Sequence, residues 1–110
     1  MAILITTYGG PKNVAPPEGR VHFTVPELQA FVGGYLEVVA RLPDGQIAWC
    51  NEDGKRLRLP INRWATVLFL PQLRDGDVVV GDVIITTLAE AGEDTDVDPS
   101  ELVQPLDPEA

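Results

Sequence analysis

Residues that could act as a nucleophile, a base or a metal ligand are few in this sequence. His22 is the single histidine and Cys50 the single cysteine, so a histidine-activated thiol or a zinc site of several His and Cys ligands is not expected. Glu37, Asp53 and Asp82 could supply an acid–base pair. Two of these three carboxylates stand in turn sequences that account for them without chemistry. The sequence therefore predicts a protein that is not an enzyme and that binds no metal or cofactor.

The adjacent glycines Gly33 and Gly34, within VGGYLEVV, raise the question of a ligand loop. They lack the third glycine and the strand-to-helix order of a dinucleotide loop, and no Walker-type lysine follows a glycine run. Their structural interpretation is that Gly33 ends a helix in the left-handed conformation. Their functional interpretation is that a ligand can approach the backbone there, because no side chain stands in the way.

The remaining residue types suit binding better than catalysis. Aromatic rings could stack on a ligand, arginines could contact anions, and asparagines offer paired donors and acceptors. They predict a site for a small anionic, nucleotide-like ligand or for a host protein, formed by Gly33, Gly34, Tyr35, Arg41, Trp49, Asn51, Arg56, Arg58, Asn62 and Arg63. The alternative is structural, with the aromatics in the core, the arginines on solvated faces and the asparagines as caps.

Two helices are predicted from their capping residues. Thr24 precedes Glu27 by three residues, which is the spacing of a capping box, and this helix would end at the double glycine. Asn62 is a good N-cap for a second helix over residues 63–70, which Pro71 would end.

Strands are predicted where aliphatic and β-branched residues alternate or cluster between turn signals. They cover residues 2–8, 20–24, 35–42, 46–50, 56–59 and part of 77–88, with residues 12–19 as a loop. Gly81 would bend the last of them. Together with the helices, they predict an α+β fold, a small antiparallel β-meander with two short helices.

The turn LPDGQ predicts how residues 35–42 pair with the strand that follows. Because proline has no N–H to donate, a three-residue loop over residues 43–45 is expected, with its glycine left-handed. That loop sets Arg41 opposite Ile47 and Val39 opposite Trp49. One face of the hairpin would then carry Tyr35, Glu37, Arg41 and Trp49, and the aliphatic face would carry Ala48 and Cys50.

The formal net charge of −9 comes almost entirely from the C-terminal residues. Residues 1–88 hold nine acids against eight bases, whereas residues 89–110 hold eight acids, several prolines and no Lys or Arg. We therefore predict one domain over residues 1–88 and a disordered acidic tail over residues 89–110. The acidity disfavours direct binding to nucleic acid. The single cysteine and the absence of a signal peptide or long apolar run predict a cytoplasmic protein that makes no membrane contact.

Four blocks in order, LQAFVGGYLEVV, NEDGK, LPINRWAT and DVVVGDVII, resemble the successive motifs of the bacterial and phage family labelled domain of unknown function 3846. The resemblance spans about residues 28–85, with the first strand and the acidic tail outside it. It implies a small α+β domain of the kind common in bacteriophage, plasmid and actinobacterial accessory genes, with no established activity.

We therefore expect a non-enzymatic phage or mobile-element accessory protein that binds a host molecule in the host cytoplasm. That molecule would be a nucleotide-like signal or a host protein, in defence or counter-defence. The alternative is a small structural protein that assembles on a virion or as a homo-oligomer.

Overall fold

The structure is a computed structural model that describes residues 2–17 and 19–87. At its centre is one antiparallel sheet of five strands. Two helices accompany it, α1 (Val25–Val32) and α2 (Arg63–Leu68). The strands are β1 (Ala2–Ile5), β2 (Pro11–Val14), β3 (Leu36–Arg41), β4 (Gln46–Asn51) and β5 (Val83–Thr87). They lie side by side in the order β2-β1-β5-β4-β3. The predicted small α+β fold is confirmed.

Each face of the sheet is covered by one helix. Leu28 of α1 belongs to a buried cluster with Trp49 and Ile84. On the opposite face, Ala65 of α2 belongs to a second buried cluster with Ile85. Neighbouring residues of β5 point to opposite faces, and its first four residues are all buried. Both faces of this central strand are therefore covered, and it begins with three consecutive aliphatic residues rather than an alternating pattern.

Both predicted helix starts are confirmed. Thr24 Oγ1 accepts a hydrogen bond from the N–H of Glu27, and the Glu27 carboxylate accepts one from the N–H of Thr24 at 2.8 Å, which completes the capping box. Gly33 ends α1 with a φ of 81°, in the left-handed region that favours glycine. Asn62 caps α2 by accepting from the N–H of Ala65 at 3.0 Å. The second helix ends at Leu68 instead of residue 70, and a 3₁₀ turn follows it over Leu70–Gln72.

The N-terminal strands differ from the prediction. Residues 11–14 form β2 instead of a loop and pair with β1, which ends at Ile5 rather than at residue 8. Pro11 is tolerated because the first residue of an edge strand need not donate. Residues 20–24, which include His22, form no strand, because the chain turns there: the N–H of Arg20 donates to the carbonyl of Pro17 at 3.1 Å.

Residues 56–59 are not the predicted strand either. They continue a series of turns that begins after β4. The N–H of Leu59 donates to the carbonyl of Gly54 at 3.0 Å, and Arg58 has a φ of 57°. These local bonds and the left-handed residue prevent an extended conformation.

The predicted hairpin register is right at the turn and wrong beyond it. The three-residue turn is present with Gly45 at a φ of 76°, and Arg41 lies opposite Ile47. A β-bulge then shifts the register, so that Trp49 lies opposite Val38 instead of Val39. The extra residue in β3 reverses the face assigned to Trp49, which packs in the core beside α1.

The acidic tail predicted over residues 89–110 lies outside the described residues. Among the residues that are described, no helix is long and apolar enough to cross a membrane.

Candidate functional site

Trp49, the predicted stacking residue, is part of the core. Its side chain is 0% exposed, and its Nε1–H donates to Thr86 Oγ1 at 2.9 Å. Because both the ring and its donor are engaged, Trp49 has no surface to offer a ligand. Its assignment to a binding face depended on the register that the bulge changes.

Asn51 ends β4 and ties α1 to the turn that follows this strand. Its Nδ2 donates to the carbonyl of Val32 at 3.2 Å, and its Oδ1 accepts from the N–H of Asp53 at 2.8 Å. A Cβ added to Gly34 would lie 2.8 Å from Nδ2 and 3.1 Å from Cγ of Asn51. The missing side chain at Gly34 therefore makes room for this buried amide, not for a ligand.

We expect Gly34→Ala to lower the free energy of unfolding by about 1–3 kcal/mol, because the new methyl group displaces the Asn51 amide from its two partners. Urea denaturation measures the loss. Gly9→Ala is the control, since a Cβ there meets only Thr6 Oγ1, at 3.6 Å. Equal stability of the two variants would show that Asn51 moves aside at no cost.

Asn62 joins three parts of the chain from a fully buried position. Its Nδ2 donates to the carbonyls of Ile5 and Gly81, both at 2.9 Å, while its Oδ1 caps α2. Its backbone N–H donates to the carbonyl of Val79 at 2.7 Å. Both ends of the amide are thus engaged within the fold, which leaves Asn62 a structural role.

Besides Gly33, which has no side chain, five of the predicted site residues remain exposed, but the structure does not bring them together. They are Tyr35, Arg41, Arg56, Arg58 and Arg63. Tyr35 precedes β3 and Arg41 ends it, so that about 20 Å of strand separates them. Arg56 pairs with Asp53 at 3.2 Å. Arg58 and Arg63 lie five residues apart in the chain, at the two ends of the segment that leads into α2.

Exposed apolar side chains are concentrated in the same stretch of the chain. Nine large apolar side chains are exposed in the described part of the chain, and six of them fall between residues 57 and 70. We call these six the α2 surface: Leu57, Ile61, Trp64, Val67, Leu68 and Leu70, each more than half exposed.

The geometry of α2 explains the exposure of the three that lie on the helix. Ala65 and Phe69 face the sheet and are 0% exposed. Trp64, Val67 and Leu68 have the i, i+3, i+4 spacing that groups side chains on one helix face, and each is more than half exposed, although part of the Trp64 ring lies against Gly10, directly before β2. The outer face of a helix in water normally carries polar residues. An apolar outer face is typical of a surface that another molecule covers.

The α2 surface lies in a basic part of the chain. Residues 55–74 hold five of the eight Lys and Arg residues and no Asp or Glu. Lys55 is bonded to Asp77, whereas Arg58 and Arg63 take part in no ion pair among the residues described. The result is a group of apolar side chains with unneutralised cations beside it.

Trp64 is the residue that sequence reasoning missed. The signal was present in WATVLFL, residues 64–70, where Thr66 is the only polar side chain. An apolar face of a helix must be covered, and the sheet covers only the Ala65 side of α2.

A family model described as "Domain of unknown function (DUF3846)" matches residues 3–106. The chain belongs to this family. The match is longer than the expected 28–85, because it includes β1 and most of the acidic residues that follow β5. The description of the DUF3846 family names no activity. Searches of curated proteins and of solved structures find no match to this DUF3846 chain.

The thiol of Cys50 in the DUF3846 chain is poorly reactive as a nucleophile. Burial, with the nearby Glu37 carboxylate, raises the pKa of its thiol to about 12, so the thiolate is scarce at neutral pH. The described residues also contain no group of three or more His, Cys, Asp or Glu side chains that could hold a metal ion.

Glu37 gives the DUF3846 domain a testable pH dependence. It lies opposite Cys50, and burial, followed by the nearby carboxylates of Glu52 and Asp53, raises its pKa. A raised pKa in the folded state means that folding favours the protonated acid. The stabilisation from the protonated Glu37 side chain is therefore present below the ordinary glutamate pKa and is lost as the pH rises through the folded-state pKa of Glu37.

We expect Glu37→Gln, which resembles the protonated acid, to raise Tm above that of the parent at pH 7 and to raise it less at pH 4. Thermal unfolding followed by circular dichroism at the two pH values measures the difference. A parent at least as stable as the variant at pH 7 would contradict the assignment.

Proposed function

We propose that this chain is a non-enzymatic binding protein whose partner, a host protein, docks on the α2 surface. The observation that supports this most is the apolar outer face of α2, where Trp64 is 57% exposed. Monomeric proteins rarely leave neighbouring large apolar side chains in water unless a partner covers them. Tryptophan and arginine are also enriched among the residues that dominate binding at protein interfaces.

A protein partner fits these observations better than a nucleotide-like ligand. A small-molecule site needs an aromatic ring and a few polar groups that converge in a concave pocket. Trp49 and the amides of Asn51 and Asn62 are instead engaged inside the fold. The α2 surface offers mostly aliphatic contact on the outside of a helix, which suits another protein.

The charges beside the α2 surface indicate the chemistry of the partner. Arg58 and Arg63 are exposed and could each form a charge-assisted hydrogen bond to a carboxylate. The partner would therefore present acidic residues around an apolar patch. Opposite charges at the rim of an interface also speed association and exclude wrong partners.

In biological terms, the proposal extends to a phage or mobile-element accessory protein that acts in the host cytoplasm in defence or counter-defence. It is supported by the resemblance of the four motif blocks to a family common in such accessory genes. The alternative is an assembly protein, in which a second copy of the chain would cover the α2 surface.

A photo-crosslinking amino acid, p-benzoylphenylalanine, tests the proposal in the full chain inside bacterial host cells. One variant carries it in place of Trp64 and the matched control carries it in place of Tyr35, an aromatic residue of similar exposure, 68%. We expect a discrete crosslinked protein from position 64 and not from position 35, identified by mass spectrometry. Its purified form should bind the parent chain and bind Trp64→Ser weakly.

Three results would contradict the proposal. They are the same crosslinks from both positions, no crosslinked protein from position 64, and a crosslink at position 64 only to a second copy of the chain, which would favour assembly. A separate thermal-shift panel of nucleotides covers the other ligand class, since a ligand that binds the folded state raises Tm. A rise that is lost in Arg58→Ala would favour a nucleotide-like ligand.

A further inference from the structure

The same chain contains a segment complementary to the α2 surface. Residues 89–110, here called the acidic segment, carry eight carboxylates and no Lys or Arg, whereas residues 55–74 carry five bases and no acid. We propose that the acidic segment binds the α2 surface of its own chain and competes there with the protein partner. The competition rests on the proposed function, but the contact within the chain does not.

The end of β5 delivers the acidic segment close to the turn that follows α2. Thr86 lies opposite Ile47 of β4, and Ile47 lies opposite Arg41 of β3. At Arg41, the Gln72 side chain, from the turn after α2, accepts from the backbone N–H at 3.0 Å and donates to the carbonyl at 2.9 Å. The chain therefore leaves the sheet two strands, or about 10 Å, from the edge that this turn contacts.

The acidic segment is long enough to reach every part of the α2 surface. Its 22 residues could span about 70 Å when extended. The six residues of α2 occupy only about 9 Å. Because the segment is tethered beside its target, its effective concentration is high, and contacts that would be weak between separate molecules are sufficient.

The composition of the acidic segment matches both properties of the α2 surface. Its carboxylates can pair with Arg58 and Arg63, which have no ion-pair partner among the residues described. Aliphatic residues stand among the acids and can cover part of the apolar side chains: Val97, Leu102, Val103 and Leu106. The family model also continues through residue 106, so most of the segment belongs to the family's domain.

The two tryptophans of the chain report on this contact in one spectrum. Trp64 belongs to the α2 surface, whereas Trp49 is buried on the other face of the sheet. In the full chain with Cys50→Ala and Ser100→Cys, a nitroxide at position 100 broadens only nearby protons. We expect the indole N–H signal of Trp64 to lose most of its intensity and that of Trp49 to keep it. Trp64→Phe assigns the two signals.

Charge reversal tests the origin of the contact. Arg58→Glu combined with Arg63→Glu should restore the Trp64 signal, and the matched control Lys12→Glu, at an exposed base on β2, should not. A Trp64 signal that stays broadened in the double variant would overturn the ionic part of the proposal.

Equal intensities of the two indole signals in the labelled chain would overturn the contact itself. A mixture of nitroxide-labelled chain at natural isotope abundance and ¹⁵N-labelled chain without nitroxide provides a second check. Broadening of the Trp64 signal in this mixture would also overturn the proposal, because the acidic segment of a second copy would then be bound. No partner is present in this experiment. Its failure therefore leaves the proposed function standing, and a failed crosslink at position 64 leaves the contact within the chain standing.

Discussion

Replacing Asn62 with alanine is expected to lower the free energy of unfolding by about 3–7 kcal/mol. The variant loses an N-cap, worth about 1 kcal/mol. It also leaves the carbonyls of Ile5 and Gly81 without their 2.9 Å partner inside the protein, at about 1–3 kcal/mol for each unsatisfied group. Because a domain of this size has only about 5–15 kcal/mol in total, the variant would be close to unfolding at ambient temperature. Urea denaturation followed by circular dichroism measures the loss.

Two further variants isolate the role of Asn62. Asn13→Ala removes an exposed asparagine from β2 and should change stability by less than about 0.5 kcal/mol. Asn62→Asp keeps the capping oxygen but places a carboxylate against two carbonyl oxygens, so it should be no more stable than Asn62→Ala. An Asn62→Ala protein as stable as Asn13→Ala would show that these bonds contribute nothing.

Trp49→Ala is expected to cost about 3–5 kcal/mol, because it opens a cavity in the core between α1 and the sheet. It also removes the donor to Thr86 Oγ1. Trp49→Phe should cost less, since most of the apolar volume remains. Thermal unfolding of the full chain measures both losses.

The matched control for Trp49→Ala is the other tryptophan. Trp64→Ala removes the same side chain from a position that is 57% exposed, and we expect a change of less than about 1 kcal/mol. Equal losses at the two positions would contradict both the burial of Trp49 and the exposure of the α2 surface.

The parts of the fold that sequence alone predicted are those decided within a few residues. The capping box of Thr24 and Glu27, the left-handed Gly33 and the three-residue hairpin turn each depend on neighbours in the chain. All three are present in the structure. The α+β class follows from the same local patterns.

The predicted binding site depended instead on contacts between distant parts of the chain. Trp49 is buried because a bulge in β3 shifts the register and Thr86, 37 residues away, accepts its N–H. The Asn62 amide is engaged inside the fold, instead of being available to a ligand, because it donates hydrogen bonds to the carbonyls of Ile5 and Gly81. No local pattern specifies such partners.

The α2 surface could have been found from sequence, with one additional step. A helix with one polar residue between positions 64 and 70 needs two covered faces, and a chain of this size offers one sheet for it to cover. Counting the elements available to bury each apolar face would have drawn attention to Trp64.

One measurement tests most directly whether the α2 surface is the binding surface. It is the affinity of Trp64→Ser and of Tyr35→Ser, side by side by calorimetry, for the partner captured at position 64. Both variants remove an exposed aromatic side chain, one from the α2 surface and one from the site predicted by sequence. We predict that Trp64→Ser weakens binding by at least about tenfold, as for a residue at the centre of an interface, and that Tyr35→Ser leaves the Kd unchanged. Equal affinities of the two variants, or a larger loss in Tyr35→Ser, would contradict the proposal.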